Sequence, residues 1–187
     1  MVPDGGSFVN PPDQCAIRYA ERMEIREARP EEYERVGDVV VAAYSPYGRP
    51  DDEGWQGHLE LVRQVADRAQ RTVVLAAVEN GRVIGSATIE LFDVIGDDDK
   101  ELPPDMAFLR MVGVAPDAQS HGVGRAMVED VVRRVKVAGK RTLALRTTPQ
   151  MERAHRLYES MGFARDPSLD MPLEGDDSSL MGYRLDL

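Results

Sequence analysis

A glycine-bearing turn, QSHGVG at residues 119–124, is the first feature of the sequence that could do chemistry. An apolar run ending at Val114 precedes it, and an amphipathic helix is predicted to begin near Gly122. The first amide N–H groups of a helix have no partners within the helix and carry the positive end of its dipole. Gly122 and Gly124 lack the side chains that would obstruct a pyrophosphate. The turn therefore predicts an anion-binding loop.

Two common nucleotide motifs do not fit this turn. A dinucleotide fingerprint requires a third glycine or alanine where Met127 stands, after a βαβ unit, and here a meander precedes the turn. A nucleoside-triphosphate loop ends in Gly-Lys-Ser/Thr, whereas Gly124 is followed by Arg125 and Ala126. The anion must be held by a different kind of loop.

Hydrophobic spacing predicts the elements that hold the turn: a mixed α/β domain whose antiparallel N-terminal meander leads into it. The Asn-Gly pair at 80–81 favours a two-residue hairpin turn. The predicted elements are a strand from Met23, helices over 30–44 and 55–69, strands over 72–78, 82–92 and 106–114, a helix from Gly122, a strand over 141–146, a helix over 149–161, and strands over 162–165 and 180–187.

Two of these helices have distinct predicted faces. In the helix over 55–69, the apolar face is formed by Leu59, Val62 and Ala66, and the side facing water by Arg63, Asp67 and Arg68. In the helix from Gly122, the buried face is formed by Val123, Met127, Val131 and Val135, with Ala126, Val128 and Val132 beside them. Each helix is therefore expected to cover a sheet with one side.

Composition bounds the function. The 187 residues suit a single domain over 23–187, with residues 1–22 as a flexible extension. A net charge of -10 argues against nucleic-acid binding and weakly favours cationic or amine substrates. A lone cysteine, Cys15, and three histidines without ligand spacing predict no disulfide and no metal. No membrane span or signal peptide is visible, and a cytoplasmic protein is expected.

Two blocks together resemble the GNAT superfamily of N-acetyltransferases. QSHGVG resembles the family's loop of Gln or Arg, two residues, Gly, one residue, and Gly or Ala. ERAHRLYESMGF resembles its A-x-x-x-Y-x-x-x-G-F segment, with Ala154, Tyr158, Gly162 and Phe163 in register. The blocks occur in the family's order, and the resemblance covers about Met23 to Leu187.

The resemblance implies a mixed central sheet with splayed fourth and fifth strands, about four flanking helices, and acetyl-CoA as cosubstrate. It implies an N-acetyltransferase that acts directly on a primary amine of a small molecule or peptide. The amide of Val112 would polarise the thioester carbonyl, and Tyr158 would protonate the departing thiolate. The implied pantetheine contacts are Val112, Gly113 and Val114, and the implied pyrophosphate contacts are Gln119, Ser120, His121, Gly122, Val123, Gly124 and Arg125.

Three positions depart from the family pattern. Phe108 stands where many relatives have a glutamate base, so Glu90, Asp93 or an ordered water chain is left to remove the amine proton. Met151 replaces a frequent asparagine, and His121 stands where arginine is frequent. Phe108 and Met151 motivate a second hypothesis, a non-catalytic acyl-CoA-binding module.

Several other side chains have two possible roles, one in the site and one in packing or at the surface. Tyr158 could simply pack with Met151, Ala154 and Met161 at helical spacing, with or without a catalytic role. His155 could assist Tyr158, although an exposed histidine is favoured. The aromatic residues Trp55, Tyr44 and Tyr47 suit either an acceptor pocket or core packing. Arg110 and the acidic run 97–99 are interpreted as surface charge, and a homodimer is a reasonable expectation.

Overall fold

One mixed sheet organises the chain in a computed structural model that describes residues 23–92, 94–95, 100–101, 103–172 and 179–187. The strands are β1 (Met23–Glu27), β2 (Val73–Glu79), β3 (Arg82–Glu90), β4 (Val94–Ile95), β5 (Lys100–Glu101), β6 (Met106–Val114), β7 (Thr142–Thr147), β8 (Ala164–Arg165), β9 (Met171–Pro172) and β10 (Ser179–Asp186). The main sheet has the order β1-β2-β3-β6-β7-β10-β8, and β4 and β5 pair separately. The predicted extension, residues 1–22, lies outside the described residues.

Within the described residues, five α-helices flank this sheet, close to the expected four. They are α1 (Tyr33–Tyr44), α2 (Glu53–Arg63), the short α3 (Val65–Arg68), α4 (Val123–Val137) and α5 (Glu152–Ser160). The main core lies between the sheet and α4, where the predicted face of Val123, Met127, Val131 and Val135 is buried. A second apolar cluster packs α1 and α3 against the other side of β2 and β3.

The predicted N-terminal meander is confirmed. β2 and β3 pair antiparallel around Asn80 and Gly81, which adopt φ values of 50° and 78°. Two consecutive residues with positive φ form the type of hairpin turn that an Asn-Gly pair favours. β3 then pairs antiparallel with β6, which spans the predicted residues 106–114.

The predicted helix over 55–69 is interrupted. Gln64 has ψ 70°, which ends α2, and a new turn begins at Val65. The interruption changes which residues face the core, so Val65 is buried and Ala66 is exposed. Arg68, predicted to face water, is also buried, and its Nη1 donates to the Val62 carbonyl at 2.5 Å. The sequence prediction was wrong for Ala66 and Arg68 because it extended one helical phase through the break.

The only parallel pairing among the described strands joins β6 to β7, and it stops halfway along β6. Registered pairs run from Met106–Thr142 to Leu109–Leu145, and β6 then continues to Val114. These two strands are the fourth and fifth of the main sheet in chain order. The expected splay is therefore present, and it opens the sheet beside Arg110–Val114.

Candidate active site

The cleft begins where β6 and β7 separate, and a β-bulge shapes its edge. Thr88 pairs with Arg110 and Ser86 with Gly113, so β6 carries one extra residue between these pairs. Met111, within the bulge, has φ 52°, which is unusual for a residue with a side chain. A bulge bends its strand and redirects backbone groups. The bend places Val112 on the wall of the cleft.

The predicted anion-binding loop lies at the far end of the same cleft. Ser120 and Gly122 adopt left-handed φ values of 67° and 84°, and Gly122 caps the start of α4. Gln119 ties the loop to the end of β6, because its Nε2 donates to the Val114 carbonyl at 3.2 Å. Successive amides in such a turn, at a helix N-terminus, form a concave anion site.

An arginine that the sequence analysis did not single out braces this loop. Arg153, on α5, donates to Ser120 Oγ at 2.7 Å and approaches Gln119 Oε1 at 3.5 Å. It belongs to the second family-like block, but its contact with the first depends on how α5 packs. Arg125 is held by Ser160 Oγ at 2.5 Å. Both arginines line the cleft, and no described lining residue is acidic.

Most of the predicted cofactor residues line one cavity of about 360 Å³. They are Val112, Val114, Gln119, Ser120, Gly122, Val123, Gly124 and Arg125, joined by Tyr158. Gly113 and His121 are not among its lining residues. Gly113 instead packs against α1, where an added Cβ would lie 2.9 Å from Val40 Cα. Gly113 is therefore needed for packing.

Gly124 tests whether the cavity fits a pyrophosphate. A Cβ added there would meet Leu157 Cδ2 at 3.5 Å and Val114 Cγ2 at 3.7 Å, which are ordinary contacts. Its φ is also not in the left-handed region. Protein packing therefore leaves room for a side chain, and the missing one keeps the helix N-terminus bare toward the cleft. Bare amides and two guanidinium groups suit the pyrophosphate of coenzyme A.

Tyr158 occupies the cleft with its side chain almost entirely buried. It is 6% exposed, and its ring lies 5.6 Å from that of Phe163. It also contributes to the main apolar core with Ala154 and Met161 packed nearby, so it packs and lines the cleft at once. Burial raises the pKa of the Tyr158 phenol well above its usual value, and Tyr44 raises it further. The hydroxyl therefore keeps its proton at neutral pH.

A second, smaller pocket of about 110 Å³ adjoins the cleft. Tyr44 and Met151 line both, so the two spaces share a wall. Trp55 also lines the small pocket, with its ring stacked 5.4 Å from His58, whereas Tyr47 lines the large cleft.

The position of the missing glutamate is filled by packing. Phe108 is 2% exposed, lines the small pocket, and has the Arg146 guanidinium 5.3 Å from its ring centroid. Its direct cross-strand partner is Glu90, one of the predicted alternative bases. Arg110 Nη1 lies 3.1 Å from Glu90 Oε1. Arg110 is thus a half-buried partner of Glu90 and a pocket residue, and its interpretation as surface charge was wrong.

The remaining predicted groups take different places. His155 is half-buried and not simply exposed, since its Nε2 lies 2.9 Å from the Thr148 carbonyl and its ring packs 5.7 Å from Tyr183. This bond fixes the turn after β7. Asp93 and the acidic run 97–99 lie outside the described residues.

Within the described part of the chain, no cluster of three or more His, Cys, Asp or Glu could hold a metal ion, and no helix is long and apolar enough to cross a membrane.

A split sheet, a bare helix N-terminus suited to an anion, and a tyrosine buried in the larger of two adjoining pockets define an acyltransferase-like site. Residues 23–163 match the family model described as Acetyltransferase (GNAT) family. The chain therefore belongs to the GNAT acetyltransferase family, which confirms the resemblance of the two sequence blocks.

Individual relatives agree with this assignment. The chain is 31% identical over 118 residues, 62% of this chain and 75% of the relative, to an aminoglycoside N(6')-acetyltransferase type 1 of Stenotrophomonas maltophilia. A GNAT family acetyltransferase from Brucella melitensis, solved with acetyl-CoA, matches 76% of this chain and 82% of its own with 25% identity and a TM-score of 0.56. PaiA N-acetyltransferase from Thermoplasma acidophilum, solved with coenzyme A, has the same fold, with a TM-score of 0.68 at 15% identity over 88% of this chain and 99% of its own.

Proposed function

We propose that this protein transfers an acetyl group from acetyl-CoA to a primary amine of a small molecule or peptide. The observation that carries the proposal is the junction of the two pockets at Tyr44 and Met151, with Tyr158 buried in the larger one. The Stenotrophomonas maltophilia relative, whose name describes acetylation of an amino group, supports an amine acceptor. The proposal treats residues 23–187 as one catalytic domain.

The loop residues hold the cosubstrate in this proposal. The amides of 119–125 and the guanidinium groups of Arg125 and Arg153 face the pyrophosphate, and the open edge of β6 at Val112–Val114 accepts the pantetheine arm as an added strand. Acetyl-CoA, when bound, supplies a thioester whose carbonyl carbon is attacked by the amine.

Two groups of the chain act on the charges that develop. The Val112 amide, at the bulge, donates to the carbonyl oxygen as negative charge accumulates there. The Tyr158 hydroxyl donates its proton to the sulfur as the carbon–sulfur bond breaks. The tyrosinate is reprotonated from solvent. The raised pKa of Tyr158 keeps the phenol protonated. It also makes proton transfer from Tyr158 to a thiolate less favourable than transfer from a phenol of ordinary pKa.

Loss of the amine proton is assigned to solvent. Glu90 lies opposite Phe108, but its Oε1 is engaged in an ion pair with Arg110 Nη1 at 3.1 Å, so we do not assign it the role of base. We therefore propose that the acceptor reacts from its neutral fraction. The rate should then rise with pH as more of the amine loses its proton.

Phe108 favours a second candidate function, an acyl-CoA-binding module without turnover. Its apolar ring fills the position where many relatives have a base, so binding could persist where catalysis does not. The two functions differ in one observable, release of thiol from acetyl-CoA in the presence of an amine.

The experiment measures thiol release from acetyl-CoA against a panel of amines for the wild type and for Tyr158→Phe. We expect turnover with at least one amine and about a hundredfold lower kcat in the variant, while coenzyme A binding persists. Tyr183→Phe is the matched control, since Tyr183 is buried but lines neither pocket. Binding of coenzyme A without thiol release from any amine would favour the binding module.

A further inference from the structure

The small pocket carries a charge pattern opposite to that of the whole chain. The protein has a net charge of -10, yet Arg110 and Arg146 line this pocket and none of its described lining residues is acidic. A pocket for a polycationic acceptor would be lined by carboxylate side chains, which replace the water around the cations. Guanidinium side chains instead bind carboxylate groups of a ligand. The local charge therefore favours an acceptor that bears a negative group.

A third arginine strengthens the positive potential from behind the pocket wall. Arg68 is 8% exposed, and its charge acts on Tyr44 and Arg110, which line the pocket. Its Nε and Nη2 are buried without a hydrogen-bond partner among the described residues. A buried guanidinium that is incompletely paired is costly unless an anion offsets its charge. Among the described residues, Glu90 offsets part of the positive charge at the pocket through its ion pair with Arg110.

Two hydroxyl groups add donors at the same place. Thr147 and Thr148 line the pocket, and each Oγ1 is buried without a hydrogen-bond partner among the described residues. Arg146 is oriented beside them, since its Nε donates to the Leu169 carbonyl at 2.6 Å. Guanidinium and hydroxyl donors are the groups that bind a carboxylate.

The size and the apolar part of the pocket limit the rest of the acceptor. A protein cavity of about 150 Å³ accommodates a molecule of the size of benzene, and this pocket measures about 110 Å³. Its walls include Phe108, Met151 and Met171. The pocket is partly open to solvent, so this volume limits only the part of the acceptor that the pocket encloses, and the enclosed space suits a short apolar side chain.

We propose that the acceptor is a small primary amine that also bears a carboxylate and a short apolar group, as an apolar amino acid does. This inference rests on the proposed acetyl transfer to an amine and specifies its acceptor class. The carboxylate lies among Arg146, Thr147 and Thr148, and the amine points to the junction at Tyr44 and Met151.

The test compares leucine, methionine and phenylalanine with their amides, together with kanamycin, in the thiol-release assay. We expect the KM of each amide to be at least tenfold higher than that of its acid, since a hydrogen bond to a charged group is lost. The amides have more neutral amine at neutral pH, so this preference could not arise from amine ionisation.

Variants then locate the selectivity. Arg146→Gln should bring the acid-to-amide ratio of kcat/KM close to one, and Thr148→Val, which removes only a hydroxyl, should lower it by several-fold. Ser86→Ala removes another buried hydroxyl, outside the pocket, and should leave the ratio unchanged. Retention of the full ratio in both pocket variants would overturn the assignment.

The outcomes separate the two proposals. Turnover of kanamycin or of the amides in preference to the acids would overturn the carboxylate inference and leave acetyl transfer to amines intact. Absence of thiol release from every amine, with coenzyme A bound, would overturn both. Preference for an acid that Arg146→Gln abolishes would support both.

Discussion

The substitution Gly124→Ala should affect the stability of the protein and its affinity for acetyl-CoA in opposite directions. An added Cβ meets only Leu157 and Val114, at 3.5 and 3.7 Å, so the folded protein accommodates it. Gly124 lies in the first turn of α4, where alanine is the better helix former. Alanine in a helix is worth up to about 1 kcal/mol over glycine, and near a helix end about half of that is reasonable. For a chain of this size, that raises Tm by about 1–2 °C.

The same methyl group should impair binding of acetyl-CoA. It projects into the cleft beside the first amides of α4, where we place the pyrophosphate. Displacement of one charge-assisted hydrogen bond costs about 1.5–3 kcal/mol, which corresponds to a Kd about 10- to 150-fold higher. We expect the acceptor KM to change less, because Gly124 does not line the small pocket.

The assay pairs thermal unfolding with calorimetric titration of coenzyme A. Gly57→Ala is the matched control, since Gly57 lies in α2 with nothing within 4 Å of an added Cβ and lines neither pocket. It should raise Tm and leave the Kd of coenzyme A unchanged. If Gly124→Ala also leaves the Kd within twofold, the loop does not hold the pyrophosphate. If it lowers Tm, the space described around Gly124 is wrong.

Three further predictions concern stability and pH dependence. Arg26 pairs with both Glu32 oxygens at 2.7 Å and lowers the pKa of Glu32 from 4.5 to about 2, so the ion pair stabilises the fold above pH 4.5 and this stabilisation is lost as pH falls toward 2. Between pH 6 and pH 3, the free energy of unfolding measured in urea should therefore fall by about 1–2 kcal/mol more for the wild type than for Glu32→Gln. Equal losses in the two proteins would contradict this linkage. Gly113→Ala should cost about 1–3 kcal/mol in urea unfolding, because its Cβ would press on the backbone of Val40, and an unchanged midpoint would refute that contact. Burial raises the pKa of Tyr158, so kcat/KM should rise with the neutral fraction of the amine and then stay level to pH 10; a decline with a midpoint near 9 would exclude Tyr158 as the acid.

The sequence predicted the elements whose signals are local. The spacing of Val123, Met127, Val131 and Val135 identified the buried face of α4, and the Asn-Gly pair at 80–81 identified the hairpin turn. The loop at 119–124 could be predicted because the role proposed for it depends on backbone amides, which glycine spacing reveals. Arg68 was mispredicted because a single residue, Gln64, interrupts the helix without a proline or glycine to mark the break.

The tertiary structure alone decided which distant side chains meet. Arg153 reaches Ser120 because α5 packs beside the loop, and Arg110 reaches Glu90 because the register of β3 and β6 brings them to one face. These contacts join residues 20 to 33 positions apart. Strand register and helix packing arise from the sum of many apolar contacts, and a short sequence motif does not predict that sum. The sequence therefore predicted the kind of site, a glycine-bearing loop for an anion with a tyrosine nearby, and the packing determined the charge and size of the pocket beside it.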